Sequence, residues 1–250
     1  MLSNYEAFRE SGGIADLEYT VNRRPSGGFH ISRGNETLVE ETSDEAIDYL
    51  FVYSLEKLIT LDLQHLRPDL YFVHSSALEH QGRVILIVAA SGTGKSTTTW
   101  ALLQHGFRYL SDELAPIDPT SLEVHPYPHA LCLKTSPPEN YPLPEKTTRT
   151  ERTLHIPVTT MPSPAIMEPG PLHAIFFLQR SANASVPDVA EVSPAEAGAR
   201  LYVNTLNALA HPGSGLEAAI RIAGAVPAYT LNAGELGATC ELISSLVERL

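Results

Sequence analysis

Residues 83–99 read RVILIVAASGTGKSTTT, and this stretch decides the fold. Val84 to Val88 is an unbroken apolar run of strand length, Ala89 to Gly94 is a loop bearing two glycines, and a helix opens at Lys95. A strand feeding a glycine loop and then Gly-Lys-Ser is the pattern of a phosphate-binding loop. In that pattern successive backbone N–H groups turn inward toward an anion, and the helix N-terminus adds a partial positive charge. Gly92 and Gly94 permit backbone angles that a Cβ forbids. Ala90, Ser91, Gly92, Thr93, Gly94, Lys95, Ser96 and Thr97 are therefore the expected nucleotide-binding residues. Lys95 is expected to reach the β- and γ-phosphates of ATP, and the Ser96 hydroxyl to hold Mg²⁺. The first loop position, usually glycine, is Ala89.

Outward from this loop the chain supplies candidate chemistry on both sides. Leu70 to Ala77 reads as a strand that places His74 beside the loop strand, and histidine is the side chain best suited to proton handling near neutral pH. Glu79 to Gly82 reads as a hairpin turn, with His80 solvated. Downstream, Phe107 to Leu110 is a short apolar strand that ends in Ser111-Asp112-Glu113. Acids at a strand end beside a phosphate loop either hold magnesium or accept a proton. Asp112 is taken as the base, with Glu113 as a metal ligand or a supporting acid. Ser96, Asp112 and Glu113 form the expected metal set, and Asp112, His74 and Lys95 the catalytic set.

Composition bounds the rest. The chain has 250 residues, 43% of them apolar, enough for one large domain with a substantial core. A net charge of −12 argues against nucleic-acid binding, which needs clustered Lys and Arg. Two cysteines, Cys132 and Cys240, make no disulfide scaffold. No signal peptide or membrane span is evident, so a cytoplasmic protein without membrane contact is expected. Residues 1–66 read as a small antiparallel sheet (Ala15 to Val21, Phe29 to Ser32, Thr37 to Glu40) followed by a helix. Ser43-Asp44-Glu45 caps that helix, and Leu50, Phe51, Leu55 and Leu58 share its apolar face. Residues 67–250 form the catalytic domain, continuous with the first part or separate from it.

Thirteen of the 19 prolines fall between Pro116 and Pro171, which excludes a long helix there. Val124 to Pro128 and Leu131 to Lys134 read as strands, and Thr135 to Ile156 as a loop carrying Lys146, Arg149 and Arg152. Lys134 can approach the nucleotide or substrate. Leu172 to Leu178 is a second buried strand, ending near Arg180. Ser193 with Glu196 is a capping box for a helix to about Leu209. A helix from Leu216 to Gly224, a strand from Val226 to Leu231 and a terminal helix from Gly234 complete an α/β fold with a mixed central sheet and flanking helices.

The run from His74 to Asp118, with its histidine, loop and paired acid after Arg108, resembles the catalytic domain of HPr serine kinase. It is similar above all to the shorter HPr-kinase-related proteins that lack a separate N-terminal domain. The resemblance implies a P-loop kinase of the HPr-kinase/phosphoenolpyruvate-carboxykinase-like type. It implies ATP and Mg²⁺ as cofactors and a protein or peptide acceptor with a Ser or Thr hydroxyl, with Asp112 as base and His74 supporting it. Glu113 stands where that family has aspartate. A homo-oligomer is left open. A metabolite kinase or carboxykinase-like enzyme, and a nucleotide-binding regulatory module that performs no transfer, are the two alternatives.

Overall fold

A computed structural model describes residues 2–8, 15–45, 47–180 and 185–250. The chain opens with a 3₁₀ turn, Leu2–Phe8, and a three-stranded antiparallel sheet in the order β1 (Thr20–Arg23), β2 (Phe29–Arg33), β3 (Glu36–Glu41). The first strand starts later than its alternation suggested, at Thr20. Helix α1 (Ile47–Leu66) packs on this sheet through Leu50, Phe51, Leu55 and Leu58 against Phe29 and Ile31. The expected cap runs into Ala46, which lies outside the described residues. Asp44 is otherwise engaged, accepting from the backbone N–H of Gly28 at 3.0 Å.

The large sheet begins with β4 (Tyr71–Val73), β5 (Ser75–His80) and β6 (Arg83–Val88), then α2 (Lys95–Gln104) and β7 (Arg108–Ser111). The short strands β8 (Ala115–Ile117), β9 (Glu123–Val124) and β10 (Leu131–Leu133) follow. After them come β11 (Thr148–Arg149), β12 (Leu154–Ile156) and the long β13 (Gly170–Arg180). The chain finishes with β14 (Asp188–Glu191), α3 (Pro194–Val203), α4 (Leu216–Ala225), β15 (Ala228–Ala233) and α5 (Leu236–Val247). β6 pairs in parallel with β13, and β13 with β15, whereas β5 is antiparallel to both β6 and β7. The sheet is mixed, as expected. Half of the expected capping box forms: Ser193 Oγ accepts from the Glu196 N–H at 3.3 Å, while the Glu196 carboxylate pairs with Arg200, and α3 stops at Val203.

Helices cover both faces of the sheet, which is why its central strands are apolar throughout instead of alternating. Ile85 and Ile87 turn to one face, where Trp100 of α2 and Ile243 and Val247 of α5 complete the core. Val84, Leu86 and Val88 turn to the other, against Leu201 of α3 and Ile222 of α4. Each large apolar side chain buried in this way contributes about 1.5–3 kcal/mol.

Three expectations are corrected. Leu70 to Ala77 is two strands, not one, because the chain leaves the β4–β8 pairing and enters the β5–β6 pairing at His74. His74 sits at that break, with its N–H donated to the Asn204 carbonyl at 2.8 Å. His80 is not solvated, since its ring stacks on Phe107 with centroids 4.4 Å apart. Thr135 to Ile156 is not a structureless loop, because β10, β12 and β11 form an antiparallel sheet of their own.

Candidate functional site

Strand directions assemble the site. β6 and β7 both run antiparallel to β5, so they run parallel to each other, and β13 is parallel to β6. The loop after β6, the acids after β7, the start of β5 and the end of β13 therefore emerge at one edge of the sheet. Ligands of α/β sheets gather at such an edge. In the loop, Gly92 and Gly94 have φ of +86° and +108°, and a Cβ built on either meets nothing within 4 Å. The backbone there requires glycine, and the space in front of it is open. The first turn of α2 is anchored by the Thr98 N–H on the Gly94 carbonyl at 2.9 Å.

Asp112 is the hub of the buried part. Its side chain is 1% exposed. One carboxylate oxygen accepts from the Ser96 hydroxyl at 2.8 Å. The other accepts from Ser76 Oγ at 2.6 Å and from Lys95 Nζ at 3.1 Å. Lys95 Nζ also donates to the Asp112 backbone carbonyl. Thr99 Oγ1 donates to Ser76 Oγ at 2.7 Å, so a hydroxyl relay backs the carboxylate. Ser76 and Thr99 were not singled out from the sequence. A serine inside an otherwise buried apolar strand was the signal available for Ser76, because a buried hydroxyl needs a partner.

Glu113, one residue on, faces the opposite way. Its side chain is 47% exposed and stands 3.6 Å from His74 Nδ1. The same ring nitrogen lies 3.2 Å from the Glu113 carbonyl, which can only accept, so the proton sits on Nδ1. His74 thereby clamps the Glu113 backbone.

Two recesses flank the loop. One, of about 660 Å³, is lined by Lys95, Ser96, His74, Glu113, Lys134 and Arg180 among others. The second, of about 1060 Å³, lies along β13 and α3 and includes Phe177, Arg180, Arg200 and Asn204. Ala90, Ser91 and Gly92 border both. In the second recess the Arg200 guanidinium lies 5.2 Å from the Phe177 ring centre and donates to Thr230 Oγ1 at 2.8 Å. Of the basic residues of the 135–156 segment, Lys146, Arg149 and Arg152 line neither recess, whereas Thr150 and Thr153 line the first.

The far wall of the first recess carries a polar network that the sequence did not announce. The His129 ring bridges two partners, with Nδ1 2.8 Å from the Ala130 carbonyl and Nε2 2.9 Å from Glu56. Burial works to raise the Glu56 carboxyl, but the His129 contact and Asn4 outweigh it and hold the carboxyl below its usual range. His155 Nδ1 faces the Asn4 amide at 3.1 Å and the Cys132 thiol at 3.2 Å, so its proton lies on Nε2, toward Thr153 Oγ1 at 2.7 Å. Burial lowers the His155 pKa and pushes the Cys132 thiol well up, so this cysteine is no thiolate nucleophile.

The donor set suits a magnesium–polyphosphate. Ser96 and Asp112 offer hard oxygens, and no group of three or more His, Cys, Asp or Glu side chains able to hold a metal occurs among the described residues. Magnesium characteristically takes one or two protein oxygens and completes its shell with water and phosphate. Among the described residues no helix is long and apolar enough to cross a membrane.

No family model and no curated protein matches the chain. Among solved structures it is similar to the HPr(Ser) kinase/phosphatase from Coxiella burnetii, at 13% sequence identity and a TM-score of 0.38, over 71% of this chain and 94% of that one.

Proposed function

We propose that this protein is an ATP- and Mg²⁺-dependent kinase that transfers the γ-phosphoryl group to a Ser or Thr hydroxyl of a protein or peptide. One observation carries the reading. A loop with two obligatory glycines ends in a lysine and a serine that both meet the buried Asp112, while Glu113 and His74 open onto the same cleft. Loop amides and Lys95 bind the phosphates, and the recess along β13 and α3 takes the nucleoside. Ser96 and Asp112 would hold magnesium, which supplies charge neutralisation on the phosphates.

The division of labour between the two acids follows from exposure. One Asp112 oxygen is held by Ser76 and Lys95 and the other would be taken up by magnesium beside Ser96, so the carboxylate has little capacity left for an acceptor's proton. The base role, expected at Asp112, moves to Glu113, which is solvent-facing and oriented by His74. In the transfer, the acceptor oxygen bonds to the terminal phosphorus as the bond to the bridging oxygen breaks. Glu113 takes the hydroxyl proton, and the nucleoside diphosphate leaves with the bridging oxygen. Positioning and electrostatics supply most of the rate.

Glu113→Gln tests this. Transfer to Ser-containing peptides, and basal ATP hydrolysis with water as acceptor, should fall about 10²–10⁴-fold. Mg-ATP binding by calorimetry should stay within about twofold, since the γ-carboxyl is not its anchor. Undiminished turnover in this variant removes Glu113 from the base role, and wild-type protein that takes up no Mg-ATP ends the kinase reading altogether.

A further inference from the structure

A second primary amine reaches the loop from the opposite wall of the cleft. β10 is short, but its alternation is strict: Leu131 and Leu133 are buried in the core, so Cys132 and Lys134 turn to the other face. Both then line the recess that holds Lys95, Ser96, His74 and Glu113. Lys134 Nζ donates to Ser91 Oγ, the middle of the glycine loop, at 2.7 Å. Among the described residues no carboxylate pairs with this ammonium group, and its polar partner is that hydroxyl. In a chain of net charge −12, an ammonium ion held by a neutral hydroxyl at the rim of an anion cup lacks its natural counter-ion.

The wall is held in place. β10 pairs with β12 through Leu131–Ile156 and Leu133–Leu154, all four side chains buried. The segment beyond Lys134 is pinned to α2, where Trp100 Nε1 donates to the Tyr141 carbonyl at 3.1 Å. α2 is the helix that begins with Lys95, so packing sets the distance between the two lysines. Lys95 already has the Asp112 carboxylate as counter-ion, whereas Lys134 holds only the Ser91 hydroxyl and can exchange it for a stronger acceptor.

We propose that Lys134 is a second phosphate-binding cation, pairing with the oxygens of the phosphoryl group in transit. This rests on the kinase reading above. The terminal phosphate is specified because Lys134 lines the recess of Glu113 and His74 and not the one along β13 and α3. Lys134 keeps its protons throughout. It contributes charge where negative charge is spread over the equatorial oxygens, while the proton released by the acceptor goes to Glu113.

Lys134→Met and Lys134→Arg, with the wild type, decide it by calorimetry with Mg-ATP and Mg-ADP and by basal ATP hydrolysis. Lys134 is exposed, and circular dichroism checks that both variants fold. The Met variant should lose about tenfold in ATP affinity, with ADP affinity changed less than about twofold, because only the triphosphate carries the contacted group. Its kcat should drop about 10²-fold, and Arg should recover part of both losses. If the wild type binds and hydrolyses ATP but Met leaves kcat and the ATP-to-ADP preference unchanged, Lys134 has no such role. Equal losses for ATP and ADP overturn it too, by placing the amine at the wrong end of the nucleotide. A wild type that binds neither nucleotide instead refutes the underlying kinase reading.

Discussion

Replacing Asp112 by Asn removes one charge from the most buried ion pair of the site. Lys95 and Asp112 side chains are 8% and 1% exposed. The hydrogen bonds largely survive the change. The amide oxygen can stay toward Ser76 and Lys95, and the amide nitrogen then faces Ser96, whose hydroxyl rotates to accept. What is lost is the counter-charge, and stripping one partner from a buried pair costs about 3–5 kcal/mol. Lys95 keeps the Asp112 carbonyl and borders the cleft, so water reaches it in part and the expected cost falls to about 2–4 kcal/mol. For a chain of this size that lowers Tm by roughly 5–15 °C. The assay is urea unfolding of nucleotide-free protein at pH 7, in a cycle with Lys95→Met and the double variant. The two single costs should exceed the double by about 2 kcal/mol, because each leaves a charge that the other removes. A cost under about 1 kcal/mol for Asp112→Asn, the size typical of an exposed pair, or strict additivity in the cycle, refutes the buried hub.

Gly94→Ala places a Cβ in open space but at φ +108°, so its whole cost is backbone. Unfolding should show about 1–2 kcal/mol lost, with Mg-ATP affinity lost alongside, and a neutral substitution would contradict the loop geometry. The third expectation concerns pH. Burial lowers the His155 pKa, so the unfolded chain binds its proton more readily. Stability from this group is full above about pH 6.5, declines as pH falls through that value, and levels off below the folded pKa. His155→Gln should flatten the fall in urea midpoint between about pH 7.5 and 5.5, and an unchanged slope would show that His155 does not carry it. Glu56, with its pKa lowered, loses its contribution only at lower pH, below about 4.3, so the two windows separate.

How much of this was legible depends on how local each signal is. The strand Val84–Val88, the loop and the start of α2 follow from contiguous residues, because an apolar run, two glycines and a helix start are all short-range features. The strand ending at Arg180 and the helix cap at Ser193 were readable for the same reason. Thr148–Arg149 and Leu154–Ile156 were not, since two- and three-residue strands have no period of their own and exist by pairing, β12 with the distant β10 and β11 with β12. His74 was misplaced because a change of pairing partner within one extended run leaves no mark on composition. His80 was misread because its partner, Phe107, is remote in the chain.

By itself, then, the order of residues determined a glycine loop with lysine and serine at its end and a pair of acids after the next strand. Its composition also marked a strongly acidic chain, of net charge −12. The tertiary structure alone decided which acid is spent on Lys95, Ser76 and Ser96 and which is left to solvent. It alone brought Glu56, His129 and His155 to the facing wall, beside the Lys134 that the sequence had already put near the nucleotide. The physical reason is strand order: inserting β5 between β6 and β7 sets the two parallel, and that alignment delivers chemistry from separate stretches of chain to one edge.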